Sequence, residues 1–248
     1  MAEQIIILIP VYNDEKSVNN LLNELSVSLK DLNNYNFSVL IVNDGSTESI
    51  NISKDSTFPG TILQLQRNIG HQKTIAIGLA YIKENLSCDK VLVMDSDGED
   101  RPEDAVKLLE EADKNPGKII FAHRKSRQES NKFQLFYRIY KMVFHLFTGK
   151  KITFGNFLVM PKLLLDKVVF YSEIWSHIAG GIIKTGLPYI LVNTHRGKRY
   201  DGSSKMSFTS LLIHGLGAIA VFIEIIASRL LIFSLLLISS DKPLPMLY

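Results

Sequence analysis

The sequence predicts an α/β fold, a mostly parallel central sheet with helices on both faces, followed by C-terminal membrane-associated helices. Three observations carry this expectation. Short β-rich apolar runs alternate with stretches of helical periodicity through the first half of the chain. Polar clusters follow the first, second and fourth runs, where an open α/β sheet binds its ligands. Residues 211–240 are strongly apolar.

The expected strands are Ile5–Ile9, Phe37–Val42, Thr61–Leu65, Lys90–Met94 and Lys118–Ala122. Between them, helices are expected near Glu15–Leu32, Gln72–Glu84 and Pro102–Lys114. Val18, Leu21, Leu22, Leu25 and Leu29 line one face of the first helix. Pro102 suits a first helical turn, and the acidic Glu103 and Asp104 beside it complement the helix dipole. After residue 124 the pattern changes. Phe133, Phe136, Tyr137, Tyr140, Phe144 and Phe147 form a helical stripe surrounded by Lys132, Arg138, Lys141, Lys150 and Lys151. Such a stripe faces a core or, with cations around it, a lipid surface.

Glu224 and Arg229 interrupt the apolar stretch, and Leu230–Ser240 is its longest uncharged part after Arg229. A spanning helix needs ~20 apolar residues, and Glu224 near mid-membrane costs several kcal/mol. The expectation is therefore one or two interfacial helices, the end inserted in the membrane or packed on a partner chain. A buried helix in a soluble dimer is the plainer alternative. The division expected is 1–205 and 206–248.

At 248 residues and 46% hydrophobic, the chain suits one α/β domain with a modest appendage. Its net charge of +3 conceals an asymmetry. Residues 1–123 carry 11 Lys and Arg against 19 Asp and Glu, whereas residues 124–205 carry 15 against 4. This suggests a cation held by the first part and an anionic partner by the second, the bland alternative being solvated surface charge. The basic residues form no dense block and no nucleic-acid motif is present, so nucleic acid is not an expected partner. The single Cys88 excludes an internal disulfide. The apolar run Ile5–Ile9 is too short for a signal peptide and lacks a basic flank. The six histidines lack zinc spacing, and no P-loop, dinucleotide fingerprint or nucleophile elbow occurs.

The chemistry-bearing residues lie after the strands. Asp95-Ser96-Asp97 ends the buried run Val91–Met94. Two carboxylates two residues apart at a strand end reach one hard cation, which keeps positions open for phosphate oxygens, and Glu99 can add a third oxygen. Such a cation neutralises a diphosphate leaving group. Asp-x-Asp alone is a weak pattern; its place at the end of the fourth strand strengthens it. Asn43-Asp44-Gly45-Ser46 ends the second strand, either as an ordinary Asp-Gly turn or, with Pro10-Val11-Tyr12-Asn13 next to it, as part of a nucleoside pocket.

Together these clusters resemble the family-2 glycosyltransferases of GT-A fold, and within them the dolichyl-phosphate mannose synthases and bactoprenol glycosyltransferases. The pieces are Pro10–Glu15, Val42–Ser46, Arg67-Asn68-Ile69-Gly70-His71-Gln72, Met94–Glu103, Gly155-Asn156-Phe157 before Met160, and Arg199-Tyr200-Asp201-Gly202-Ser203-Ser204-Lys205. The first four point to the superfamily and the last to the polyprenyl-phosphate branch. The resemblance implies that Pro10, Tyr12, Asp14 or Glu15, and Asp44 hold the nucleoside. It implies that Asp95, Asp97 and Glu99 hold Mg²⁺ or Mn²⁺ with the diphosphate. Arg124, Arg199 and Lys205 would grip phosphates, with Ser204 beside them, and Arg199 and Lys205 sit on what looks like a mobile loop.

Two departures stand out. Many relatives have Gly-Asp-Phe-Arg where this chain has Gly155-Asn156-Phe157-Leu158. Asn156 cannot act as a general base, which matters for a hydroxyl acceptor but less for a phosphate monoester, whose second pKa is ~6. Asn156 can still donate a hydrogen bond to acceptor or sugar. Relatives also often place arginines for the acceptor phosphate where this chain has Ser130 to Lys132, a role Lys132 or Arg138 can take. The expected activity is inverting transfer of a sugar from a UDP- or GDP-sugar to a polyprenyl phosphate at the cytoplasmic face of the cell membrane, with a homo-oligomer through the C-terminal helices a possibility. The alternatives are transfer to a sugar hydroxyl in O-antigen or capsule assembly, with Glu173 as base, and a catalytically silent nucleotide-sugar-binding subunit.

Overall fold

The computed structural model describes residues 2–52, 57–124, 141–201 and 208–240. The first half alternates as expected: β1 (Glu3–Val11), α1 (Glu15–Ser28), β2 (Tyr35–Asn43), β3 (Gly60–Gln64), α2 (His71–Asn85), β4 (Lys90–Val93), α3 (Pro102–Lys114) and β5 (Ile119–Arg124). It continues with α4 (141–148), β6 (Leu158–Pro161), α5 (Lys162–Val168), a 3-10 turn (Ser172–Trp175), α6 (Ile178–Thr185), β7 (Tyr189–Thr194), α7 (Phe208–Val221) and α8 (Ile223–Ser240). The first helix stops at Ser28 rather than Leu32. There Leu32 N–H donates to Leu29 O and Tyr35 N–H to Leu32 O, turning the chain into β2.

The seven strands form one sheet in the order β3-β2-β1-β4-β6-β5-β7. β1 lies parallel to β2 and β4, and β2 to β3. β6 is antiparallel to both β4 and β5, and β7 is parallel to β5. Inserting one reversed strand leaves β5 and β7 pointing the same way as β4. The carboxyl ends of β1, β2, β4, β5 and β7, and the start of β6, therefore share one edge. β6 and β7 are additions to the five strands expected. β6 is only four residues long and β7 is half exposed, so neither has the length or periodicity that separates a strand from a helix fragment.

β1 sits inside the sheet between β2 and β4 and is buried on both faces, which accounts for its unbroken apolar run. Ile5, Ile7, Ile9 and Val11 pack with Leu21 and Leu25 of α1 and Leu108 and Leu109 of α3. Ile6 and Leu8 face the opposite layer, with Ile75 and Leu79 of α2, Leu165 of α5 and Ile178 of α6.

A third, smaller core holds the C-terminal helices. Phe144, Ala218, Val221, Phe222 and Ile226 cluster, with the Phe144 and Phe222 rings edge to face at 5.7 Å. Phe144 and the half-buried Phe147 thus take the core-facing alternative for the aromatic stripe. Phe133, Phe136, Tyr137 and Tyr140, with Ser130, Lys132 and Arg138, lie outside the described residues. Both charges that interrupt the apolar stretch have partners. Glu224 pairs with Lys184 at 3.2 Å, and Arg229 Nη1 donates to the carbonyls of Leu146 and Phe147 at 3.1 Å each, at the end of α4. Beyond Arg229 the apolar side chains from Leu230 to Phe233 and from Leu235 to Ile238 are exposed. No single helix among the described residues is long and apolar enough to cross a membrane. The pair Gly215–Val221 and Ile223–Ile238, bent by 72°, meets the requirement together by length and composition.

Phe222→Ala removes a fully buried ring from this small core. It is expected to cost about 3–5 kcal/mol, read as a lowered denaturation midpoint of the C-terminal helices by hydrogen exchange.

Candidate active site

β4 delivers the acidic cluster. Met94 N–H still bonds to Leu8 O at 3.2 Å, and the chain then turns sharply. Asp97 Oδ1 accepts the Glu99 N–H and Asp100 Oδ2 the Asp95 N–H, both at 2.9 Å, and Gly98 has φ +87°. Four carboxylates, of Asp95, Asp97, Glu99 and Asp100, are thereby gathered on one turn.

Arginines from two other elements neutralise them. Arg124, the last residue of β5, reaches Glu99 Oε2 at 3.1 Å and Asp100 Oδ1 at 2.7 Å. Arg196 Nη2 and Arg199 Nε both reach Glu99 Oε1, at 2.6 and 2.8 Å, and Arg199 Nη2 reaches Asp97 Oδ2 at 2.8 Å. The segment after β7 lies directly on the acidic turn. Gly197 N–H donates to Glu99 O at 2.9 Å and Tyr200 N–H to Asp97 O at 3.0 Å. His195 N–H donates to Asp104 at 3.2 Å, the Tyr200 hydroxyl to Glu24 at 2.7 Å, and Lys16 pairs with Asp201 at 3.2 Å. Two helices therefore anchor this segment.

His71, first residue of α2, brings Nε2 within 3.2 Å of Asp95 Oδ1. Burial disfavours charge on both groups, yet their mutual attraction outweighs it, holding His71 above and Asp95 below its ordinary range. Asp97 is raised by burial and then by the Asp95 charge. Burial pulls Glu99 upward too, but Arg196, then Arg199 and Arg124, hold it below the usual range. Asp100, buried and next to Asp95, is pushed up to about 7.

The loops after β1 and β2 are stitched together beside this cluster. Asn13 adopts φ +51°; its N–H donates to Ser46 Oγ at 2.8 Å and its Oδ1 accepts the Thr47 N–H at 2.9 Å. Asp44, nearly buried, accepts the N–H groups of Ile69 and Gly70 at 2.8 and 3.1 Å. Gly45 has φ +68°, and a Cβ there would lie 2.4 Å from the Arg67 carbonyl carbon. Asp44 thus braces the 67–70 loop through both carboxylate oxygens. Pro10 is buried at the end of β1, Tyr12 is exposed, and Asp14 and Glu15 begin α1.

Of the residues expected from the sequence, Asp95, Asp97, Glu99, Arg124 and Arg199 converge. Asn156 joins them by register: Leu158 pairs with both Val93 and Phe121, and two residues earlier the chain reaches the level of Asp95. Asn156 Oδ1 is buried and accepts no hydrogen bond. Ser204 and Lys205 lie outside the described residues. Glu99, expected as a third oxygen ligand, has both its oxygens bonded to guanidinium groups. Among the described residues no group of three or more His, Cys, Asp or Glu converges on one point. Asp95 and Asp97 remain suited to a divalent ion. Asp95 Oδ1 is buried without a well-aligned hydrogen bond, its charge met by the His71 ring 3.2 Å away, and two carboxylates are a hard-oxygen donor set. Sequence reasoning gave no role to His71, Asp100 or Arg196. His71 and Asp100 fall inside the motif pieces 67–72 and 94–103, their only signal in the sequence, and Arg196 falls in none.

The model of Glycosyl transferase family 2 matches residues 6–168. The chain is similar to the undecaprenyl-phosphate 4-deoxy-4-formamido-L-arabinose transferases of Salmonella choleraesuis (strain SC-B67) and Salmonella newport (strain SL254). Each is 24% identical over 221 residues, 85% of this chain and 64% of the relative. The chain thus spans about two-thirds or slightly less of those proteins' length. Among solved structures, glucosyl-3-phosphoglycerate synthase from Mycobacterium tuberculosis, in complex with Mn²⁺, UDP-glucose and phosphoglyceric acid, superposes with a TM-score of 0.64 at 14% identity. It covers 91% of this chain and 80% of that one. Mannosyl-3-phosphoglycerate synthase from Rubrobacter xylanophilus gives 0.63 at 17% identity, covering 99% and 79%. The expected GT-A fold is therefore the fold observed.

A Cβ at Gly98 would lie 2.8 Å from the Tyr200 ring and 2.9 Å from Lys198 O, on a backbone already at positive φ. Gly98→Ala is expected to cost about 1–3 kcal/mol, seen as a lower melting temperature. Gly155→Ala, where a Cβ meets nothing within 4 Å, leaves it unchanged.

Proposed function

The chain belongs to glycosyl transferase family 2, and from that membership we propose that it moves a sugar, with inversion, from a UDP- or GDP-sugar to a polyprenyl phosphate at the cytoplasmic face of a membrane. The observation that carries this reading is that Asp95 and Asp97 stand on the same turn as Glu99 and Asp100, to which Arg124, Arg196 and Arg199 bring three guanidinium groups at the carboxyl edge of the sheet. That is the charge arrangement a metal-bound diphosphate leaving group requires.

Asp95 and Asp97 would hold Mg²⁺ or Mn²⁺, which supplies charge neutralisation for the departing nucleoside diphosphate. Arg124 and Arg199 bind the diphosphate oxygens, with Lys205 and Ser204 from the adjoining segment. Tyr12 and Pro10 contact the nucleoside, with Asp14 or Glu15, and Asp44 contributes by shaping the loop at 67–70. The sheet-edge arrangement supports this division, since diphosphate and nucleoside groups fall on adjacent strand ends.

The state of the nearby carboxylates supports an acceptor that arrives already anionic. Asp97, Glu99 and Asp100 are bonded to arginines and Asp95 faces His71. Asn156 offers no base. A phosphate monoester, with a second pKa near ~6, needs none. Glu173, the base required for a sugar hydroxyl, is paired with Lys184 at 3.0 Å on the 3-10 turn, which weakens that alternative. The names of the Salmonella relatives agree with a polyprenyl-phosphate acceptor.

The exposed apolar half of α8 supports attachment to a membrane. Each large apolar side chain removed from water contributes about 1.5–3 kcal/mol, and eight such side chains follow Arg229. Glu224 and Arg229 are bonded at the surface to Lys184 and to the α4 carbonyls, and the remainder of α8 carries no charge into lipid.

Asp97→Ala is expected to lower sugar transfer into organic-extractable lipid by at least about 100-fold; undiminished transfer refutes the assignment of the diphosphate site. Supplying polyprenyl phosphate against a lipid-linked saccharide tests the acceptor, and transfer only to the saccharide rejects the phosphate reading. Ending the chain after Arg229 is expected to abolish co-flotation with liposomes while leaving nucleotide binding intact. Flotation of the shortened chain at the full level removes α8 as the membrane contact.

A further inference from the structure

Arg199 and the acidic turn occupy each other's ligand positions. Its Nη2 lies 2.8 Å from Asp97 Oδ2, on one of the two carboxylates proposed for the divalent ion. Its Nε lies 2.8 Å from Glu99 Oε1, which Arg196 Nη2 also approaches at 2.6 Å. The Asp97 and Glu99 side chains are 18% and 10% exposed and that of Arg199 25%. At this depth water screens poorly, so a charge left without its partner is costly.

A divalent ion on Asp97 must compete with Arg199, and it leaves a guanidinium short of a carboxylate. A diphosphate must draw Arg196 and Arg199 away from Glu99 and Asp97, and it leaves those carboxylates without counter-charge. When both arrive, each supplies the charge that the other's arrival uncovers. The exchange requires only side-chain rotation. The main chain of the 197–200 segment stays fixed to the turn by the Gly197 and Tyr200 N–H bonds to Glu99 O and Asp97 O.

We infer that Arg199 is an internal counter-ion of Asp97 that makes the divalent ion and the nucleoside diphosphate bind as a coupled pair. This rests on the reading of Asp95 and Asp97 as holders of a divalent ion beside a diphosphate. It adds to that reading a positioning role for Arg199, which sets the order of charge in the site before any sugar moves.

The test measures Mn²⁺ binding to the full chain from the loss of the free-ion paramagnetic signal. It is run with and without UDP or GDP and corrected for Mn²⁺ held by the nucleotide itself. For the wild-type chain, nucleotide is expected to tighten Mn²⁺ by about 5- to 150-fold. Arg199→Gln, with no guanidinium on Asp97, is expected to bind Mn²⁺ alone more tightly than wild type and to lose the part of the coupling that exceeds direct contact of the ion with the diphosphate. Arg199→Lys keeps the charge but cannot bridge two carboxylates with a planar fork, and falls between. It decides the matter if Arg199→Gln fails to fold. Mn²⁺ affinity no higher in either variant overturns the counter-ion role. So does independent binding of Mn²⁺ and nucleotide to wild type, which leaves the proposed function standing. Failure of Mn²⁺ and both nucleotides to bind in any combination overturns the proposed function itself.

Discussion

Glu99 is the point on which the site closes. Its two oxygens tie three guanidinium groups from separate parts of the chain, the end of β5 and two positions after β7. Four carboxylates on one tight turn repel one another, and two unit charges 4 Å apart interact by about 4 kcal/mol at an effective dielectric of 20. The arginines convert that repulsion into the force holding the segment after β7 against the turn. The glycines at 98 and 197 permit this closeness, for a Cβ at Gly197 would lie 2.1 Å from Gly98 O. Charge and backbone packing thus enforce the same arrangement.

The ion pairs form only because the sheet brings their owners to one edge. β6 runs opposite to its neighbours, so β5 lies two places from β4 yet points the same way. Arg124 therefore ends at the level of the acidic turn, and β7, parallel to β5, releases the chain at the same edge to supply Arg196 and Arg199. The reversal also sets Asn156, two residues before β6, at that edge, with its Oδ1 buried and accepting no hydrogen bond. One strand direction accounts for four of the groups that surround the proposed diphosphate.

The C-terminal helices follow a comparable logic with opposite polarity. The small core around Phe222 fixes the bend between α7 and α8. Lys184 and the α4 carbonyls take up the two charges that would otherwise resist an apolar environment. Beyond Arg229, the side chains left exposed as far as Ile238 are apolar apart from Ser234. A helix of that kind in water is held out at considerable cost, and lipid or a second copy of the helix removes the cost.

The sequence alone determined the α/β alternation, because β1 and β4 are buried on both faces and α1 and α3 show strong helical periodicity. It also located the acidic cluster, since a polar run after a buried strand has a fixed place in such sheets. Asp95 and Asp97 were legible for that reason, and Arg124 and Arg199 through family resemblance. Only the tertiary structure decided what Glu99 touches. As a third carboxylate in an acidic motif it reads as a metal ligand, and nothing local reveals guanidinium groups contributed from 25 to 100 residues away. Arg196, Asp100 and His71 were missed for the same reason. Their partners lie across the fold, and the short reversed strand that brings the arginines level with the acidic turn carries no periodic signal of its own.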